Sequence, residues 1–196
     1  ETEIEAKFTN INSQELRQKL QDIGAVLQHP ERLMRRKVFD YPDARLYHEN
    51  AWVRVRDEGD KVTFSFKKLL DRTLHGTKEI TVTVSSFDET CNILQAMGFQ
   101  SKSYQETKRE TWTYDGCEIT IDTWPWIPEF VEIEAPDEDK IKIMAEKLGF
   151  DWKNALHGSV ETAYQEHYDV SEEEIDSWPE ILFIPVPDWL EIKRKI

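Results

Sequence analysis

The sequence predicts an α+β protein dominated by antiparallel sheet. About eight short runs alternate apolar and polar residues, the period-two pattern of strands with two unlike faces. Three longer stretches place apolar residues at helical spacing and stop at a glycine. The acidic turn Asp57–Lys61 lies between two alternating runs and reads as a hairpin loop.

The elements follow in order. EIEAKF (3–8) opens as a strand with Glu3, Glu5 and Lys7 on one face and Ile4, Ala6 and Phe8 on the other. In residues 12–25, Asn12 or Ser13 caps a first helix, Leu16, Leu20 and Ile23 form its apolar stripe, and Gly24 stops it. RKVFDY (36–41), AWVRVRDE (51–58), KVTFSFKK (61–68) and KEITVTV (78–84) read as strands. The second helix (85–99) is capped by Ser85 or Ser86, with Ile93, Leu94 and Met97 as its stripe and Gly98 as its stop. ETKRETWTY (106–114), CEITIDTW (117–124) and FVEIEA (130–135) are further strands. Pro136 stands near the first turn of a third helix, which carries Ile141, Met144 and Leu148 and ends at Gly149. EIEA therefore occurs twice, at 3–6 and 132–135, each time in a strand that leads to a helix. Residues 169–178 predict a short helix opened by a capping box from Ser171 to Glu174. The Pro- and Trp-rich remainder is too short for its own core, so 166–196 reads as an extension packed on the main domain, 1–165.

With 39% apolar and 33% charged residues, the chain is too hydrophobic for disorder and too polar for a membrane protein. A net charge of −14 repels phosphate backbones and anionic bilayers, which argues against generic nucleic-acid or membrane binding. No basic-then-apolar leader pattern is visible, and the cytoplasm is the expected compartment. Cys91 and Cys117 have no CxxC spacing, and the histidines form no zinc pattern. Cys91 is expected in the core, and His48, His75 and His157 on the surface or in loops.

Sorting the strands by parity gives each one apolar face and one face of charges and hydroxyls. The charged faces hold Glu3, Glu5 and Lys7; Arg54 and Arg56 with Trp52; Thr63, Ser65 and Lys67; Glu79, Thr81 and Thr83; Arg109; Glu118, Thr120 and Asp122; and Glu132 with Glu134. An open sheet with one face in water accounts for any one strand. Across the set, acids and bases segregate by strand, which equally suits a curled sheet or barrel with a charged interior. Such an interior fits a polyphosphate held with a divalent metal, because arginine and lysine match phosphate oxygens and crowded carboxylates need hard cations.

Glu3-x-Glu5-x-Lys7 resembles the signature of the CYTH family, the triphosphate tunnel metalloenzymes, which include thiamine and inorganic triphosphatases and class IV adenylate cyclases. Arg54-x-Arg56, Lys67, Glu79, Arg109, Asp122 and Glu132-x-Glu134 follow in the family's order over roughly residues 1–165. The resemblance implies an eight-stranded antiparallel β-barrel, a triphosphate tunnel with flanking helices. It assigns Lys7, Arg54, Arg56, Lys67, Glu79 and Arg109 to the substrate and Glu3, Glu5, Asp122, Glu132 and Glu134 to Mg²⁺ or Mn²⁺. Glu5, Lys7 and Asp122 become the catalytic set. The implied substrate is tripolyphosphate, ATP or thiamine triphosphate, and a homodimer is among the allowed assemblies. The expected activity is a phosphohydrolase, with a class IV adenylate cyclase or a non-catalytic triphosphate-binding module as alternatives.

Two departures stand out. The family often shows Lys-x-Arg where this chain has Thr107-Lys108-Arg109, so either one cation is lost or the strand is bulged. The WPWIP insert (124–128) is expected to pack as a hydrophobic cap or to shape the tunnel mouth. Ser159 and Tyr164 are further candidates for a ligand contact.

Overall fold

A computed structural model describes residues 2–69 and 77–195. In chain order the elements are β1 (Thr2–Glu3), β2 (Glu5–Phe8), α1 (Ser13–Asp22), β3 (Val26–Asp40), α2 (Arg45–His48), β4 (Ala51–Asp57), β5 (Val62–Leu69), β6 (Thr77–Val84) and α3 (Phe87–Ala96). They continue with β7 (Gln100–Tyr114), β8 (Cys117–Thr123), β9 (Phe130–Glu134), α4 (Glu138–Leu148), α5 (Glu161–His167), α6 (Glu172–Asp176), β10 (Glu180–Ile181) and α7 (Asp188–Glu191). His75 lies outside the described residues, as does the side chain of Glu3. No helix among the described residues is long and apolar enough to cross a membrane.

The main sheet runs β1-β6-β5-β4-β3-β7-β8-β9-β2, with every neighbouring pair antiparallel. β1 and β2 are consecutive pieces of one N-terminal segment, broken only at Ile4. That segment joins both edges of the sheet: Thr2 and Glu3 pair with Lys78 and Thr77, while Glu5–Phe8 pair with Glu134–Val131. The sheet thus curls into an eight-strand barrel, which removes the open edges that would invite aggregation. β3 stands four strands from the N-terminal segment in either direction and so forms the opposite wall.

The cores lie outside the barrel, between its outer face and the helices. One unites Ala6, Phe8, Ile119 and Ile133 with Leu16 and Leu20 of α1 and Ile141, Met144 and Leu148 of α4. Asn12 caps α1 by accepting from the backbone of Gln14 and Glu15. Gly149 ends α4 at φ +87°, the left-handed conformation a glycine adopts without strain. A second core sets Phe87, Cys91 and Leu94 of α3 against Phe39, Val53 and Val55. This corrects the stripe expected for α3. Ile93 and Met97 are 58% and 66% exposed, because Phe87, just past the Ser86 cap, sets the i, i+4, i+7 face that meets the sheet. Cys91 and Cys117 are both buried and free.

β3 and β7 are each 15 residues long and exceed the runs expected from alternation. The extra half of β3 contains Pro30, which has no N–H for the ladder, and the β3–β7 register shifts on either side of it, between Leu27, His29 and Arg32.

Residues beyond the third helix pack on the barrel. β10 adds in parallel to β7, with Glu180 and Ile181 opposite Tyr104 and Gln105. A third core joins Tyr164, Tyr168, Ile175, Trp178 and Leu190 to Trp124, Ile127 and Phe130 of the insert. Ser171 caps α6 by accepting from the backbone of Glu174. Trp126 sits at φ +72°, an uncommon conformation for a bulky residue. Its neighbours hold it there: Tyr164 Oη donates to Pro125 O (2.8 Å), Tyr168 Oη donates to Trp126 O (2.7 Å), and Trp126 Nε1 donates to Ile184 O (3.0 Å).

Candidate functional site in the barrel

Most of the charged side chains on these strand faces point inward and line one cavity of about 660 Å³, with Glu5, Lys7, Arg54, Lys67, Arg109 and Glu132 among them. Alternation alone dictates this. Val53, Val55, Ile119 and Ile133 seek the outer cores, so the residues between them must face the lumen.

The first wall is acidic. Across three adjacent strands Glu5 lies opposite Glu134, and Glu134 lies opposite Glu118, so three carboxylates stand in one row. Directly opposed like charges are unfavourable. Burial, followed by Glu118, Glu5 and Glu132, pushes the Glu134 carboxyl up to about 7. In the next row Lys7 lies opposite Glu132, and Glu132 opposite Thr120. Lys7 is buried, and Glu5 and Glu132 outweigh the effect of that burial and hold its ammonium charged. It also donates to the carbonyl of Gly158. For Glu132, Lys7 and Arg109 override burial and bring the carboxyl down to about 2.

The facing walls are basic. Arg54 and Lys67 share Glu79 at 3.3 and 2.9 Å. Arg56 is braced by Glu58, at 2.6 Å from Nη2, and Glu58 also accepts from Thr63. Arg109 reaches Asp122 through Nε (2.7 Å) and Nη2 (2.9 Å) and Glu132 through Nη2 (2.6 Å).

Asp122 is placed differently from the other carboxylates. It is 1% exposed and lies behind Arg109, with Thr120 donating to it at 2.7 Å. Both its oxygens are engaged, so its direct work in this structure is to aim Arg109 at the lumen. Lys108 points outward, 3.6 Å from Glu31 and 5.5 Å from the ring centre of Phe183. The β7–β8 ladder is regular through Lys108–Tyr114, so the strand is not bulged there, and Thr107 rather than a lysine takes the inward place two residues before Arg109.

Several lumen residues lie outside the family's motif positions. Glu118 had the right parity but no motif. Arg36, on β3, lies 4.7 Å over the Trp124 ring and donates from Nη2 to Thr107 Oγ1 at 2.9 Å. Trp124 therefore serves both the third core and the cavity wall. Ser159 lines the cavity and donates to Glu161, while Tyr164 is buried and holds the insert instead of facing the lumen. Burial first, then Asp176, pushes the Glu161 carboxyl up to about 8. Burial and Glu172 push Asp176 up to about 6. A protonated Glu161 is placed to share a hydrogen bond with Asp176, so α6 contributes directly to the cavity. His157, expected at the surface or in a loop, lies in a loop and is half-buried beside Trp152.

The donor set suits a hard divalent cation. Among the described residues no three His, Cys, Asp or Glu side chains form a closed ligand cluster. Mg²⁺ needs none, since it is commonly held by one or two carboxylates together with substrate phosphates. The row Glu5–Glu134–Glu118 supplies oxygen donors whose mutual repulsion such an ion would relieve.

A closed antiparallel barrel with acids on one wall and guanidinium groups on the opposite one defines a charged-tunnel protein. The CYTH domain pattern matches residues 1–165, and the chain belongs to that family. Among solved structures, a candidate adenylate cyclase from Vibrio parahaemolyticus is similar at a TM-score of 0.73 and 14% identity, covering 84% of this chain and 98% of that one. A conserved hypothetical protein from Pyrococcus furiosus is similar at 0.65 and 20% identity, covering 79% and 94%. A candidate adenylyl cyclase from Hippeastrum, described as revealing a dominant triphosphatase activity, is similar at 0.58 and 12% identity, covering 89% and 94%. At these identities the likeness is one of fold. No curated protein matches the sequence.

Proposed function

We propose that the tunnel binds an inorganic or organic triphosphate with a divalent cation and hydrolyses its terminal phosphoanhydride bond. The observation that supports this reading is the opposition, inside one cavity, of the carboxylate row Glu5–Glu134–Glu118 and the basic wall of Arg54, Arg56 and Lys67. Cations alone would suit any anion. Carboxylates facing them require a ligand that is itself anionic and brings metal.

Glu5, Glu134 and Glu118, with Glu3 and Glu132, would hold Mg²⁺ or Mn²⁺, while Asp122, the other family position, is engaged by Arg109 and Thr120. Bound there, the ion supplies charge neutralisation at the phosphoryl oxygens. Arg54, Arg56, Lys67 and Arg109 grip the phosphates and offset the charge that builds on the leaving oxygen. Glu79 holds Arg54 and Lys67 in place, and Asp122 does the same for Arg109. Lys7, fixed between Glu5 and Gly158, sits where the acidic and basic walls meet and orients the terminal phosphoryl group. Glu5 is the carboxylate next to it and takes the proton of the attacking water. The water oxygen bonds to the terminal phosphorus as the P–O bond to the bridging oxygen breaks, releasing orthophosphate and a diphosphate.

A cyclase is the second reading, favoured by the apolar side of the same cavity. Tyr47, Trp52, Trp124 and Ile181 line it and offer room for a nucleoside. There the ribose 3′-hydroxyl would attack the α-phosphorus and pyrophosphate would leave. One incubation series with Mg²⁺ or Mn²⁺ and tripolyphosphate, ATP or thiamine triphosphate separates the two. Orthophosphate release is expected; cyclic AMP with pyrophosphate from ATP selects the cyclase. Tight binding with no turnover of any of the three removes both.

A further inference from the structure

Arg36 belongs to neither the acidic row nor the ion-paired cations. It projects from β3, the wall opposite the N-terminal strand, between Arg56 and Gln105 in the sheet register. It is 8% exposed and lines the cavity. Lys7, Arg54, Arg56, Lys67 and Arg109 each have a carboxylate within 4 Å, whereas among the described residues none reaches Arg36, and its Nε has no hydrogen-bond partner. The surrounding charges are mainly of its own sign: after burial, Arg54, Arg56 and Arg109 push its ionisation down, and Asp122 offsets them only in part.

The side chain is nevertheless held firmly. Trp124 forms a platform under the guanidinium at 4.7 Å, and Tyr164 backs Trp124 edge-on with ring centres 6.4 Å apart. Thr107 fixes one nitrogen, at the inward β7 position where no cation projects. A buried, immobilised guanidinium without a counter-charge is costly in the free protein. Its geometry is complementary to a phosphate oxygen pair, which a guanidinium fork grips in two parallel hydrogen bonds.

We propose that Arg36 binds the triphosphate directly, taking phosphoryl oxygens from the wall opposite the carboxylates at a subsite that needs no metal ion. The inference rests on the triphosphate reading above. It assigns to β3 the cation that β7 lacks at Thr107, and it makes Trp124 and Thr107 positioning residues for that cation.

The test is calorimetric titration of the full chain with inorganic tripolyphosphate in EDTA, comparing wild type, Arg36→Gln and Arg36→Lys. Arg36→Gln is expected to weaken binding by about tenfold to hundredfold, the effect of one lost charge-assisted contact. Arg36→Lys should recover part of it, keeping the charge but not the fork. Without ligand, Arg36→Gln should melt no lower than wild type, because a repelled, unpaired cation has been removed. Tripolyphosphate should then raise its melting temperature less than it raises that of wild type. Equal affinity of wild type and Arg36→Gln overturns the assignment while leaving the triphosphate reading intact. A lower melting temperature of ligand-free Arg36→Gln also overturns it, marking Arg36 as structural. Absence of tripolyphosphate binding by the wild type sinks the triphosphate reading itself, and this inference with it.

Discussion

Replacing Glu161 by glutamine should flatten the pH dependence of stability between about pH 5 and 8. The Glu161 carboxyl is pushed up from an ordinary 4.5 to about 8 by burial and by Asp176. A group whose folded pKa lies above its unfolded value keeps its proton longer when folded. Its stabilising contribution is complete below about pH 4.5 and is lost as the pH rises through about 8. The span of roughly 3.5 units corresponds to an upper limit of about 5 kcal/mol at 1.36 kcal/mol per unit. Glu161 shares one proton with Asp176 and borders a water-accessible lumen, so the working figure is about 2 kcal/mol. For a chain of this length that is a fall of about 4–8 °C in Tm. Glutamine keeps a donor facing Asp176 at every pH and so mimics the protonated acid. Calorimetric scans in EDTA from pH 5 to 8 should show the wild type losing that much more Tm than Glu161→Gln. His157 and His167, both lowered by burial, act in the opposite sense but are common to both proteins and cancel. Parallel Tm profiles for the two proteins would refute the shared-proton account of Glu161 and Asp176.

Four further substitutions probe other parts of the structure. Glu5→Gln should lower phosphate release about a hundredfold or more while far-UV circular dichroism stays unchanged, and an unfolded variant would assign Glu5 a structural role instead. Asp122→Asn removes the charge that aims Arg109, so urea unfolding should show a loss of about 3 kcal/mol; a loss under about 0.5 kcal/mol would show that Glu132 alone suffices. Phe87→Ala should cost about 3–5 kcal/mol and Ile93→Ala less than about 0.5, the reverse of what the apolar stripe of 93, 94 and 97 implies, since Phe87 is 4% and Ile93 58% exposed.

Much of the fold was legible because strands declare themselves by parity. The charged lumen residues of the motif strands, Glu5, Lys7, Arg54, Arg56, Arg109, Glu132 and Glu134 among them, take their face from alternation, and the caps Asn12 (or Ser13) and Ser171 follow from side chains able to accept backbone N–H groups. The errors have local causes. The α3 stripe was drawn from the apolar cluster near its end, yet helix rotation is set by which face the sheet can bury, and the aromatic Phe87 outweighs Ile93. The length of β3 was hidden by Pro30 and a polar stretch, which strand propensity counts against but a β-bulge accommodates.

The site divides along the same line. A carboxylate at a fixed offset from another, as in Glu3-x-Glu5 or Glu132-x-Glu134, is visible in one dimension because both lie on one strand. What a group does there depends on partners that sequence does not order. Asp122 and Glu134 are both acids on inward faces, but Asp122 is taken up by Arg109 and Thr120 while Glu134 faces chiefly other acids. The same holds for the bases: Arg54 and Arg36 differ chiefly in that Arg54 is ion-paired with Glu79, whereas among the described residues no carboxylate lies within 4 Å of Arg36. Charge opposite charge across strands is a property of register and closure. It arises only when the N-terminal segment bridges the β6 and β9 edges and turns a list of charged strands into two facing walls. Parity can therefore nominate the residues of such a tunnel, but only the closed barrel separates the groups that hold one another from those left to hold a ligand.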